Sequence, residues 1–94
     1  MLTPDSLIDK QKNIISKKIN KEYILVPLTG NIANMNSLYT LNETAAFLWE
    51  KINGTKNINQ LAEEIVKEYE VEMKEAIIDT NNFLLKISRL LIIK

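Results

Sequence analysis

The sequence predicts an α+β domain in which three short strands precede three helices. Three observations predict it. The first third of the chain carries β-branched and aromatic runs broken by turn residues. After Asn42 the hydrophobic period switches to helical spacing, which returns in three segments up to about Arg89. Ninety-four residues, 46% of them hydrophobic, suffice for one small domain with a modest core. Strands segregated from helices in this way imply a sheet covered on one face.

The first dozen residues (1–12) are polar and mixed in charge, and a loosely held start is expected. Residues 13–19 (NIISKKI) and 22–28 (EYILVPL) read as two strands joined by a tight turn at Asn20-Lys21. Pro27 cannot donate to a ladder and belongs at an edge or a strand end. Residues 29–36 are turn-rich, and SLYTL, residues 37–41, alternates as a short third strand. Asn42 then suits an N-cap, with Glu43 where the helix dipole favours an acid. Ala45, Ala46, Leu48, Trp49 and Ile52 follow at helical spacing, with Gly54 placed as a terminating glycine. Asn57 and Gln60 form a capping-box pair for a second helix, whose buried stripe is Leu61, Ala62, Ile65, Val66 and Tyr69. The third helix is expected over about residues 74–89, with Ile77, Phe83, Leu84 and Ile87 inward and an apolar tail packed behind it. No internal repeat or interdomain linker interrupts the single domain, 1–94.

Composition excludes much chemistry. The chain has no Cys and no His, so thiolate nucleophiles, disulfides and the commonest general base and metal ligand are missing. Ser6, Ser16, Ser37 and Ser88 have no imidazole to activate them. Glu43 and Glu50 lie close to one helix face without a basic partner, and the glutamates between 63 and 72 lack the loop spacing that calcium requires. Both groups read as solvated surface. Twelve basic residues balance twelve acidic ones, so nothing draws the chain to a polyanion. The N-terminus lacks the apolar run of a signal peptide, and no stretch approaches the roughly 20 apolar residues of a membrane span. A cytoplasmic protein is expected.

Two features remain. Ile78 and Leu85 lie seven apart and off the inward stripe of the third helix, with Asn81, Asn82 and Arg89 nearby. A second apolar stripe is either a wide core face or a binding groove. The third strand is short, and if it forms a sheet edge, its free backbone groups are a template for another strand. An edge strand beside a half-apolar helix can capture an extended peptide. Tyr39 either packs inward or lines that groove, and Trp49 is read as core.

The segment from Leu41-Asn42-Glu43-Thr44-Ala45-Ala46 through Trp49, Asn53-Gly54, Leu61 to Tyr69, Asp79, Phe83-Leu84 and Ile87 resembles the PqqD family over roughly the last 55 residues. The resemblance implies a winged-helix-like domain, the recognition element of ribosomally made, post-translationally modified peptides. Such domains bind the leader of a precursor peptide, which adds a strand beside the third strand and lies against the last helix. Two departures stand out: Thr80 occupies a place usually held by Val, and Leu90-Leu91 one where a Gly often precedes the last apolar pair.

The resulting expectation is a non-catalytic peptide-binding domain without cofactor or metal. Its peptide site comprises Ser37, Leu38, Tyr39, Thr40 and Leu41 on the strand, and Ile78, Asn81, Asn82, Leu85 and Arg89 on the helix. The expected partners are a precursor leader peptide and a modifying enzyme, such as a radical-SAM maturase or a lasso-peptide protease. Neither nucleic acid nor membrane is expected to bind, and the chain should be a monomer or a weak homodimer. The rival reading is a winged-helix DNA-binding regulator, which would need a basic recognition helix. The second helix is acidic on its exposed side, which argues against it.

Overall fold

The computed structural model describes residues 3–29, 32–33 and 39–94. The expected order of strands followed by three helices holds, with more strands than expected. The elements are β1 (Ile8–Lys10), β2 (Ile14–Ile19), β3 (Glu22–Thr29), β4 (Ile32–Ala33), β5 (Tyr39–Leu41), α1 (Glu43–Lys51), α2 (Ile58–Tyr69) and α3 (Met73–Lys86). A 3-10 turn (Ser88–Leu90) and β6 (Leu91–Ile93) close the chain. The expected third strand corresponds to β5, and its first two residues, Ser37 and Leu38, lie outside the described residues.

Residues β2 and β3 form the expected hairpin, in register from Ile14↔Pro27 to Ile19↔Glu22. Asn20 turns it at φ 57, in the left-handed region that Asn tolerates better than most residues. On its other side β3 pairs with β4 at Leu28 and Thr29 and with β5 from Tyr23 to Leu25. Pro27 therefore sits inside a central strand rather than at an edge. It is accommodated because residues 26 and 27 fall between the β5 and β4 ladders, where no donor is required.

Side-chain alternation gives the sheet a covered and an uncovered face. Leu25 and Leu41 enter the core, Ile14, Tyr23 and Tyr39 pack against it, and Ser16 accepts a hydrogen bond from Trp49 Nε1 at 3.1 Å. All of these lie on the helix side. The core also takes Leu48 and Trp49 from α1 and Ile52 just after it, Leu61, Ala62 and Ile65 from α2, and Ala76, Phe83 and Leu84 from α3. Trp49 is core, as read from the sequence, and the Lys10 ammonium lies 4.7 Å from its ring centroid.

Both predicted caps form. Asn42 Oδ1 accepts from the Ala45 N–H, and Asn57 and Gln60 make the reciprocal capping box. Gly54 serves a different end from the one expected. Helix α1 stops at Lys51 with Ile52 as its C-cap. Gly54, at φ 85, instead donates its N–H to the Ile8 carbonyl, and an added Cβ would lie 2.8 Å from Asp9 Oδ2. Helix α3 ends three residues earlier than expected, placing Arg89 in the 3-10 turn.

Within the segment 1–12, expected to be loosely held, residues 8–10 form a paired strand. Strand β1 pairs antiparallel with β6, Ile8↔Ile93 to Lys10↔Leu91, as a separate two-stranded sheet. Ile8 is fully buried. Asp9 meets Lys94 at 3.2 Å, and its carboxyl is held below the usual range first by the Lys10 backbone N–H and then by Lys94.

Thr80, the departure from the family pattern, is fully buried on α3, and its Oγ1 has no hydrogen-bond partner among the described residues. A buried unsatisfied hydroxyl costs about 1–3 kcal/mol. Thr80→Val keeps the branched shape and removes the orphan. It is expected to stabilise the domain by about 1 kcal/mol, raising Tm by roughly 4–8 °C. Thermal unfolding of the two proteins checks this, and a lower Tm for the variant would mean that the hydroxyl has a partner in solution.

Candidate functional site

The candidate site starts from where the backbone bonds of β5 go. The Leu28 N–H donates to the Asn13 carbonyl, which makes residues 13 and 28 a bonded pair. Bonded and non-bonded pairs alternate along an antiparallel ladder. Lys17↔Ile24 is therefore bonded, and Ile24 directs its backbone groups toward β2. Its partner on the other side, Thr40, must then turn its own N–H and C=O away from β3. Among the described residues β5 pairs with β3 alone, so the Thr40 groups form the open edge of the sheet.

Helix α3 flanks that edge. Lys86 Nζ donates to the Thr40 carbonyl at 3.4 Å, a long bond from an exposed ammonium. Beside it lies a cleft of about 320 Å³ between α1 and α3. Its floor is apolar, from Ala45, Leu48 and Phe83, and its rim is polar, from Asn42, Thr44, Asp79, Asn82 and Lys86. The N-cap at Asn42 sets this geometry, because it starts α1 directly after β5 and so places Thr44 and Ala45 in the cleft wall.

The open question about the second stripe of α3 is resolved at the level of burial. Ile78 is 51% exposed and Leu85 70%, so neither belongs to the core. Ile78, Asn82 and Leu85 share one helix face, within about 60° of arc. Asn81 is half-buried to one side of it. Arg89 lies beyond the helix, and its carbonyl accepts from Gln11 Nε2 at 3.2 Å. On the strand, Leu41 is a core side chain, Tyr39 packs against the core, and the backbone groups of both face β3, which leaves Thr40 as the described strand residue that offers backbone bonds at the edge. The structure thus sets Ile78, Asn82 and Leu85 on one outer face of α3, brings Lys86 of that helix to Thr40, and places Arg89 beyond the helix. Sequence reasoning missed Thr44, Ala45, Leu48, Asp79 and Lys86. Of these, Lys86 was detectable, since it stands one turn beyond Asn82 on the same helix.

A larger hollow, about 500 Å³, lies between the β2–β3 turn, α1 and the end of α2. Phe47 and Tyr69 meet edge-to-face there at 5.6 Å. Burial, then Glu43 and Glu68, push the Tyr69 hydroxyl above its usual pKa. Its lining mixes Lys18 and Lys21 with Glu43, Glu50 and Glu68. It lies along the covered face of the hairpin and adjoins the end of β5 at Leu41 and Asn42. Among the described residues, no group of three or more acidic side chains could hold a metal ion, and no helix is long and apolar enough to cross a membrane.

Comparison with known proteins bears on this arrangement. The family described as "Coenzyme PQQ synthesis protein D (PqqD)" matches residues 22–90. No curated protein matches the chain in sequence. Among solved structures, the chain is similar to "TbiB1 in Complex with the TbiA(beta) Leader Peptide", with a TM-score of 0.67 and 21% identity over 88% of this chain and 93% of that one. It is also similar to "Lasso peptide synthetase B1 complexed with the leader peptide", with a TM-score of 0.70 and 18% identity over 90% of this chain and 96% of that one. At these identities the likeness establishes a shared fold.

Proposed function

The chain belongs to the PqqD family, and from that premise we propose that it is a non-catalytic binding protein that captures the leader of a precursor peptide by strand addition and presents it to a modifying enzyme. One observation carries the reading: the outward N–H and C=O of Thr40 form a sheet edge reached by Lys86 of α3, the helix that also carries the exposed Ile78 and Leu85. An added strand exchanges backbone bonds with Thr40, displacing the Lys86 ammonium from its carbonyl. Alternate side chains of that strand then fall on Ile78 and Leu85 and into the cleft floored by Leu48 and Phe83. Both solved structures named above hold leader peptides, which supports the same use of the fold here.

The proposed site also takes in Ser37, Leu38, Tyr39 and Leu41 as neighbours of Thr40 along the chain, and Asn81, Asn82 and Arg89 as polar neighbours of the apolar stripe. The partner enzyme is of the class that modifies or cleaves such precursors, a radical-SAM maturase or a lasso-peptide protease, and the setting is cytoplasmic. The comparisons lend no support to the rival reading as a DNA-binding regulator.

The test is a titration with a synthetic leader peptide of the precursor encoded beside this chain, followed by amide chemical shifts. A leader that orders on binding loses entropy, so a dissociation constant of order micromolar, about −8 kcal/mol, is expected. Shifts should gather on residues 37–41 and 78–89. Affinity should change little with salt, because strand addition releases few counterions. Shifts gathered instead around Lys21, Phe47 and Tyr69 would move the site to the larger hollow, and a steep loss of affinity with salt would point to contacts of the nucleic-acid type.

A further inference from the structure

The helices cover only one face of the sheet. The residues facing away are Ile15, Lys17 and Ile19 on β2, Glu22, Ile24, Val26 and Leu28 on β3, and Thr40 on β5. Ile19 is 52% exposed, Ile15 39% and Leu28 37%. None of the five apolar residues of this face contributes to the core or packs against it. A monomeric domain rarely leaves such a contiguous apolar face open to water.

We propose that this uncovered face joins two copies of the chain, back to back. The face itself specifies a second copy as the occupant. It carries one basic and one acidic side chain, Lys17 and Glu22, set diagonally across the β2–β3 ladder. Neither forms an ion pair with a described residue of its own chain. In an isologous contact, residue i of one copy meets residue j of the other and the reverse. A two-fold axis lying between the two sheets and passing midway between Lys17 and Glu22 sets each of them opposite the other's copy. Ile19 and Ile24, on either side of that midpoint, then meet their own copies near the axis. The single charges that would weaken an apolar contact with an unrelated surface become two cross-pairs in this one. The chain's zero net charge adds no long-range repulsion between copies.

The pairing goes beyond the leader-binding reading and does not depend on it. It leaves the open edge of β5 and the outer stripe of α3 free in both copies. It also differs from a dimer made by joining two β5 edges, which would compete with an added strand.

Sedimentation velocity of the full chain, from low-micromolar to near-millimolar concentration, tests the proposal. The parent is expected to shift from monomer to dimer. Ile19→Glu is expected to remain monomeric with an unchanged Tm. Lys17→Glu and Glu22→Lys, each measured alone, are expected to raise the dimer dissociation constant roughly tenfold or more, because each sets like charges face to face. An equimolar mixture of these two variants is expected to regain the parent's dimerisation. Within each variant the diagonal neighbours still repel, so recovery in the mixture arises only across an interface. A parent that stays monomeric at every concentration overturns the proposal, as would happen if the face served only a modifying enzyme. So does a mixture that fails to recover, or a dimer that dissociates when the leader peptide is added.

Discussion

Leu85→Glu is expected to weaken leader-peptide binding at least tenfold while leaving the melting temperature within a few degrees of the parent's. Leu85 is 70% exposed, so in the free domain the new carboxylate stays hydrated and no core packing is lost. In the proposed complex the same position would face an apolar side chain of the added strand. Covering a leucine completely is worth about 1.5–3 kcal/mol, and most of that area is still available here. Losing it costs roughly tenfold in affinity, and desolvating a carboxylate in its place costs more. A carboxylate near the end of α3 also opposes the helix dipole by about 0.3–1 kcal/mol. Leu85→Gln removes that contribution and should weaken binding nearly as much, which separates lost contact from lost helix. Isothermal titration with the leader peptide and a thermal melt of each variant provide the readings. Unfolding by Leu85→Glu would mean that Leu85 is core. Unchanged affinity with an intact fold would mean that the strand lies elsewhere.

The choice of Leu85 shows what could be read in the sequence. Once Phe83, Leu84 and Ile87 are taken as the inward stripe, helix geometry alone turns Leu85 and Ile78 outward. The caps at Asn42 and Asn57 were legible for the same reason, since a cap is a contact between residues three apart. Wherever the determining contact was local, the sequence reading and the structure agree. The cleft was less legible. Ala45 and Leu48 belong to the periodic stripe of α1, and nothing in that period says which of its residues will border a gap rather than a neighbour. Lys86 could be placed one turn beyond Asn82, but its reach to the Thr40 carbonyl spans 46 residues of sequence and was not legible. Gly54 was recognised as specified but given the wrong partner. Its requirement comes from Ile8 and Asp9, far away in the chain, rather than from the helix just before it.

Strand β1 is the clearest instance of this limit, and it carries the second large prediction. Ile8→Ala is expected to cost about 2–5 kcal/mol, the usual range for truncating a buried isoleucine to alanine. At roughly 4–8 °C per kcal/mol for a domain of this size, Tm should fall by more than about 8 °C. Three residues, Ile8-Asp9-Lys10, show no pattern that local reading could detect as a strand, and their partners Leu91 to Ile93 are at the opposite end of the chain. Yet Ile8 is fully buried and bonded on both sides of its peptide unit. Its N–H donates to the Lys56 carbonyl at 2.9 Å, and its carbonyl accepts from the Gly54 N–H at 2.9 Å. The Leu7 and Lys94 backbones exchange two further bonds at 3.1 and 2.9 Å. The side chain therefore anchors a sheet that ties both described ends of the chain to the α1–α2 loop. Its loss should show first as faster amide exchange at Gly54 and at Leu91 to Lys94, before any change at β5. Leader-peptide binding measured well below Tm should persist, because the β5 edge and α3 stripe lie outside this small sheet. If the chain start were as loosely held as its composition suggests, the same substitution would change stability by less than about 0.5 kcal/mol, as surface changes do. Denaturant unfolding of Ile8→Ala decides between the two.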